Sequence, residues 1–170
     1  EQAEPGVMER PPRQAGEHVV TWALLRRAYL LLGPIQALAA MAAFYFHYWH
    51  EGYGGWWLDL PANGAIYQAA TAMALSAVVA TQIGNLFAQR TERISIFKTG
   101  IFGNRLAWVG IATEIALIVA IVYLPPLQGI FGTSALPAGH WLFLLAWVPS
   151  LLIVDELRKA LVRRRERLKR

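Results

Sequence analysis

Glu114 interrupts the run "GIATEIALIVAIVY" (110–123) and is its one carboxylate. Upstream, Gln82 and Asn85 stand in "MALSAVVATQIGNLFA" (73–88), with Thr71 and Thr81 nearby. Gln36 follows Gly33-Pro34, and Thr113 precedes Glu114. Carboxylate and amide oxygens are the ligands that hard cations such as Ca²⁺ take. A spacing of three puts Gln82 and Asn85 on one helical face. One acid and two amides are fewer than the six to eight oxygens of a calcium cage. The same residues therefore also read as interhelical hydrogen-bonding groups, with Glu114 protonated or paired. Both readings stand at this point, and Gln82, Asn85 and Glu114 are the candidate ion-path residues.

A second group is Asp155, Glu156, Arg158 and Lys159. Asp155 precedes the two cations by three and four residues, which is ion-pair spacing on a helix, and cations suit a helix's C-terminal half. These four are read as structural ion pairs. His47, His50 and Glu51 have metal-ligating chemistry, but they sit in the aromatic-rich "FHYWHEGYGGWW" (46–57), and interfacial packing is the expected role. There is no GK[ST] motif, Gly-rich phosphate loop, nucleophile–base pair or HExxH. No catalytic or cofactor-binding residue is assigned, and this chain alone is not expected to hydrolyse ATP. With no Cys, disulfides and thiolate metal sites are excluded.

The elements that must position these groups are membrane helices. Of 170 residues, 56% are hydrophobic and 16% charged, well under the roughly 25% charged of soluble domains. A spanning helix needs roughly 20 apolar residues. Four runs qualify, at about 22–49, 66–88, 104–124 and 140–161, the first with an expected kink at Gly33-Pro34. Lipid forces their backbone polar groups to pair internally, so the expected fold is all-α: a polytopic membrane protein with a four-transmembrane-helix bundle. "YLPPLQGIFGTSALPAGHW" (123–141) reads as a Pro/Gly-rich turn. Spacings such as Ala65/Ala69 and Ala70/Ala74 invite close helix approach.

All sixteen Lys and Arg lie before Ala28, within 90–105, or from Arg158 onward, and the loops near 50–65 and 125–139 have none. The positive-inside rule then makes both termini cytoplasmic. The expected organisation is a cytoplasmic lead-in loop (1–21), a transmembrane domain (22–161) and a basic cytoplasmic tail (162–170). The tail reads as an orientation signal and anionic-lipid contact, not a nucleic-acid module. The first 18 residues are polar and Pro-rich, unlike a signal peptide. Because the chain starts at Glu1, it is expected to be a fragment or a processed product. The lack of Cys and the short loops suit a prokaryotic plasma membrane.

Four motifs in register carry a family resemblance across nearly all 170 residues. "EPGVMERPPR" (4–13) resembles the cytoplasmic loop after the sixth membrane helix of type II P-type cation pumps, the group of the calcium and sodium pumps. "MALSAVVATQIGNLFAQRTERISIFKTGIFGN" (73–104) is similar to the eighth helix and the following loop. "VYLPPLQGIFGTSAL" (122–136) is similar to the outer loop between helices nine and ten, and "DELRK" (155–159) to the close of helix ten. The resemblance implies that the spans are helices seven to ten of a ten-helix ATP-driven pump. By that match Gln82 and Asn85 fall at an eighth-helix ion-site position and Glu114 at an acidic ninth-helix position. Calcium pumps with two ion sites carry Glu where Gln82 stands, so Gln82 with Asn85 looks more like members binding one calcium. Calcium is the leading ion, with sodium, potassium and protons open. ATP and Mg would belong to the full pump, and Arg10 and Arg13 to its cytoplasmic-domain contact or to a solvated linker. Partners implied are the lipid bilayer, the remaining pump helices and domains, and the transported cation, with no nucleic acid. Two other classes are a free-standing four-helix membrane protein that binds and regulates a partner, and a small channel or exchanger.

Overall fold

The computed structural model describes residues 20–54, 59–91 and 94–168. Arg10 and Arg13 lie outside the described residues. The helices are α1 (Trp22–Arg26), α2 (Gly33–His50), α3 (Gly64–Gln89), α4 (Ile96–Thr99), α5 (Arg105–Tyr123), α6 (Pro125–Phe131), α7 (Ala138–Trp147) and α8 (Ser150–Leu168). Among the described residues there is no strand. Four helical stretches are long and apolar enough to cross a membrane: Leu24–His50, Gly64–Gln89, Arg105–Tyr123 and Ala138–Arg165.

Two prolines shape the first and fourth stretches in different ways. Pro34 has no N–H to give to a preceding carbonyl. The chain absorbs this in a π-helical segment, Arg27–Leu32, where Gly33 N–H reaches back to the Ala28 carbonyl. The helix then runs on, with Pro34 in the first turn of α2. Pro149 instead breaks the fourth stretch. Val148 N–H bonds to the Leu145 carbonyl, α7 ends, and α8 starts at Ser150.

The connection expected to be a plain turn after α5 contains the short helix α6. Pro125 and Pro126 fit its first turn, where no N–H donor is required. Gly132 ends it at φ 63°, a conformation glycine adopts without a Cβ penalty. This connection also closes the end of α5. Gln128 Nε2 donates to the Val122 carbonyl at 2.6 Å, and Thr133 Oγ1 to the Ile121 carbonyl at 2.9 Å. Those are orphan carbonyls of a helix C-terminus.

α3 is the centre of the domain. Half of its apolar window is buried inside the protein, against 17–22% for the other three. The core joins Ala39 and Ala43 of α2 to Ala69, Ala72, Met73 and Ala77 of α3, with Ile118 and Val122 of α5 and Leu144 of α7. Small side chains dominate the α2–α3 contact, which lets those backbones approach without a solvent-driven force. Ala69 and Ala70 are buried, whereas Ala65 is exposed. At the other end, the Asn104 side chain accepts from Ala107 N–H at 3.2 Å and caps α5. Asn104→Ala is expected to cost about 1 kcal/mol, measurable as a lower midpoint of denaturation in detergent.

Candidate functional site

Among the described residues, polar side chains of the spans gather in three layers. In the first, Thr81 is fully buried on α3 and turns its hydroxyl to the Ala77 and Val78 carbonyls, at 3.0 and 2.8 Å. Gln36 of α2 approaches the same hydroxyl, Nε2 to Oγ1 at 3.4 Å. One turn further along α3, Asn85 Nδ2 donates to Gln82 Oε1 at 3.1 Å, and Gln89 Nε2 to Asn85 Oδ1 at 3.4 Å. Helical spacing of three and four creates this ladder. Gln82 and Asn85 are both half-buried.

Glu114 is half-buried on α5. It falls three residues after the buried Ile111 and four before the buried Ile118, so it shares their face. Among the described residues, no hydrogen bond or ion pair joins Glu114 to Gln82 or Asn85. The structure thus brings the two amides together and leaves the acid apart, on the stripe α5 turns inward.

The second layer lies where the Lys/Arg-rich segments enter. Asp155 is fully buried, and its Oδ1 is 2.8 Å from both Arg27 Nη2 and Arg158 Nε. Its Oδ2 faces Lys159 Nζ across 2.8 Å, an ion pair without hydrogen-bond alignment. Lys159, also fully buried, reaches Thr91 Oγ1 at 2.7 Å, Glu156 Oε1 at 3.3 Å and the Ala88 carbonyl at 3.3 Å. Glu156 Oε1 also accepts from the Ile96 N–H at 3.1 Å, at the start of α4. Arg27 Nη2 meets the Ala88 carbonyl at 3.3 Å. One carboxylate therefore gathers three cations, and the cluster ties the start of the first span to the end of α3, the following loop and α8. Ion-pair spacing along α8 reveals its local half. Arg27 and Thr91, which complete it, carry no sequence signal of that role beyond Arg27 bordering an apolar run.

At the opposite end, His47 and His140 are buried and meet, Nδ1 to Nε2, at 3.0 Å. His50 lies 3.6 Å from Glu51, Nδ1 to Oε1, on the exposed end of α2. Among the described residues, no group of three or more His, Cys, Asp or Glu could hold a metal ion. His140 was not singled out by sequence, because its partner is 93 residues away.

Comparison with known proteins bears on what these layers serve. A family model described as "Cation transporting ATPase, C-terminus" matches residues 1–161. The chain is 30% identical over 152 residues to mouse "Calcium-transporting ATPase type 2C member 2", covering 89% of this chain and 15% of that protein. It is 30% identical over 157 residues to "Probable cation-transporting ATPase F" of Mycobacterium tuberculosis, covering 91% and 16%. It is 27% identical over 188 residues to rabbit "Potassium-transporting ATPase alpha chain 2", covering 96% and 17%. The chain thus spans about a sixth of the length of these relatives.

Proposed function

Because this chain belongs to the family of cation-transporting ATPase C-terminal domains, we propose that it works as the membrane support domain of an ATP-driven cation pump. In this reading its four spans are helices seven to ten, with both termini cytoplasmic. They brace the ion-translocating helices supplied by the rest of the pump. ATP and Mg act in that remainder, and the assignment to a prokaryotic plasma membrane rests on the Cys-free sequence and short loops. Calcium is the leading cargo. Support comes from a relative named for calcium, although relatives named for potassium and for cations in general match as well.

The observation that carries an ion-path role is Glu114. A carboxyl on the inward stripe of a membrane helix is costly unless it meets a partner or a wet cavity. Nothing among the described residues gives it a hydrogen bond, so in this reading its partner is the transported cation or a proton reached from within the bundle. Gln82 and Asn85 supply neutral oxygen ligands on α3, suited to a cation that enters with few protein charges.

Glu114→Gln in the full-length pump is expected to weaken apparent cation affinity by roughly tenfold, about 1.4 kcal/mol, or to displace the pH profile of transport. Cation-dependent uptake into vesicles measures both. Unaltered uptake per folded molecule, with a smaller folded yield, would assign Glu114 to packing instead.

A further inference from the structure

The His47–His140 contact has a chemical consequence of its own, independent of the pump reading. It joins the last turn of α2 to the first turn of α7, so it fastens the first span to the fourth. The two rings are only 4% and 1% exposed. A nitrogen–nitrogen hydrogen bond holds one hydrogen between a donor and a lone pair. Two neutral rings satisfy it, and so do one neutral and one cationic ring. Two cationic rings cannot, because both facing nitrogens then carry a hydrogen and both rings a charge.

The surroundings leave little to relieve that clash. Phe46 sits edge-on to His140 at 5.4 Å between ring centroids and stacks on Phe143 at 4.1 Å. The titratable groups nearby are His50, whose ring lies 4.8 Å from that of His140, and Glu51 beside His50. α7 brings no ionisable side chain besides His140, and α3 brings only Tyr67 at this end, packed on Phe44. His50 and Glu51 are solvent-exposed and link the buried pair to the aqueous edge.

We propose that His47 and His140 form a proton-binding site that clamps the first span to the fourth at the end of the domain remote from its Lys/Arg-rich segments. The clamp is closed while one hydrogen lies between the facing nitrogens. It opens when water delivers a second proton and each nitrogen carries its own. The chain has no Cys, so two introduced cysteines are its only label sites once any Cys in the rest of the full-length protein is replaced. Trp49→Cys and Leu142→Cys are suitable because both side chains are largely exposed.

In the full-length protein in lipid nanodiscs, the spin-label distance is expected to lengthen and broaden as pH falls from about 8 to about 4, since the opening proton must bind beside a ring that is already charged. His47→Gln and His140→Gln, each able to keep a hydrogen bond, should hold one distance throughout. An unchanging distance in the parent, or an undiminished response in both Gln variants, overturns the clamp. If neither Gln variant reproduces the parent distance at pH about 8, nitrogen-15 coupling across the histidine pair in the unsubstituted protein decides. Coupling that is present there and lost in acid supports the clamp; no coupling at the higher pH overturns it.

Discussion

Asp155→Ala is expected to be among the most damaging single substitutions in this domain, lowering its stability by about 3–5 kcal/mol. The reason is the charge left behind. Arg27, Arg158 and Lys159 all converge on this one buried carboxylate, at 2.8 Å each. Removing it takes the shared carboxylate from three cations at once, and a fully buried Lys159 cannot move to water without unpacking α8. The damage is predicted to be structural, because the cluster joins four segments rather than lining a path. Folded yield and thermal midpoint in detergent should both fall sharply. Lys159→Met should be milder. It deletes the bonds to Thr91, Glu156 and the Ala88 carbonyl but leaves Arg27 and Arg158 on Asp155. Combining the two substitutions should cost less than their sum, since removing both partners of a buried pair is often tolerated. Strict additivity in that double-mutant cycle would mean that the ion pair contributes nothing on its own.

The same cluster shows which parts of the architecture could be read from sequence and which could not. The four apolar helices were legible because lipid imposes one length and one hydrogen-bonding solution on any span. The pairing of Asp155 with Arg158 and Lys159 follows a helical period and needs no tertiary information. Arg27 was grouped with the flanking charges that set orientation. Its inward turn depends on a π-helical segment one residue wider than an α-turn, which no local propensity announces. The break of the fourth stretch at Pro149 was equally hidden, since proline in a membrane helix can be absorbed or can interrupt. Pro34 does the first and Pro149 the second. The His47–His140 contact lies between residues far apart in sequence, and only packing brings them together. For the candidate ion-path residues, composition gave the atom types. That a hydrogen bond joins Gln82 to Asn85 follows their helical spacing, whereas nothing local to the sequence says whether Glu114 bonds to either.

Gly84→Ala is the other substitution expected to have a large effect, and it follows from the Pro149 break. A Cβ at Gly84 would stand 2.2 Å from the Val148 carbonyl oxygen and 3.4 Å from its carbon, with Leu152 N–H at 3.6 Å. These are backbone atoms, so no side-chain rotation relieves the overlap. α3 and the α7–α8 junction must separate. Alanine gains about 1 kcal/mol over glycine from helix propensity, and overpacking typically costs about 1–3 kcal/mol. A clash with backbone sits at the upper end, so net destabilisation is expected. Gly110→Ala on α5 is the matched control, because a Cβ there meets nothing within 4 Å. It should be neutral or slightly stabilising. Gly84 lies between Gln82 and Asn85 in sequence, so moving α3 at this point also moves both amides relative to the fourth span. In the pump reading, Gly84→Ala should therefore reduce cation affinity as well as thermal stability, whereas Asn104→Ala should reduce stability alone. Parallel melting and cation-uptake measurements on the two variants separate these outcomes. Normal affinity in a destabilised Gly84→Ala protein would show that the amides on α3 lie outside the ion path.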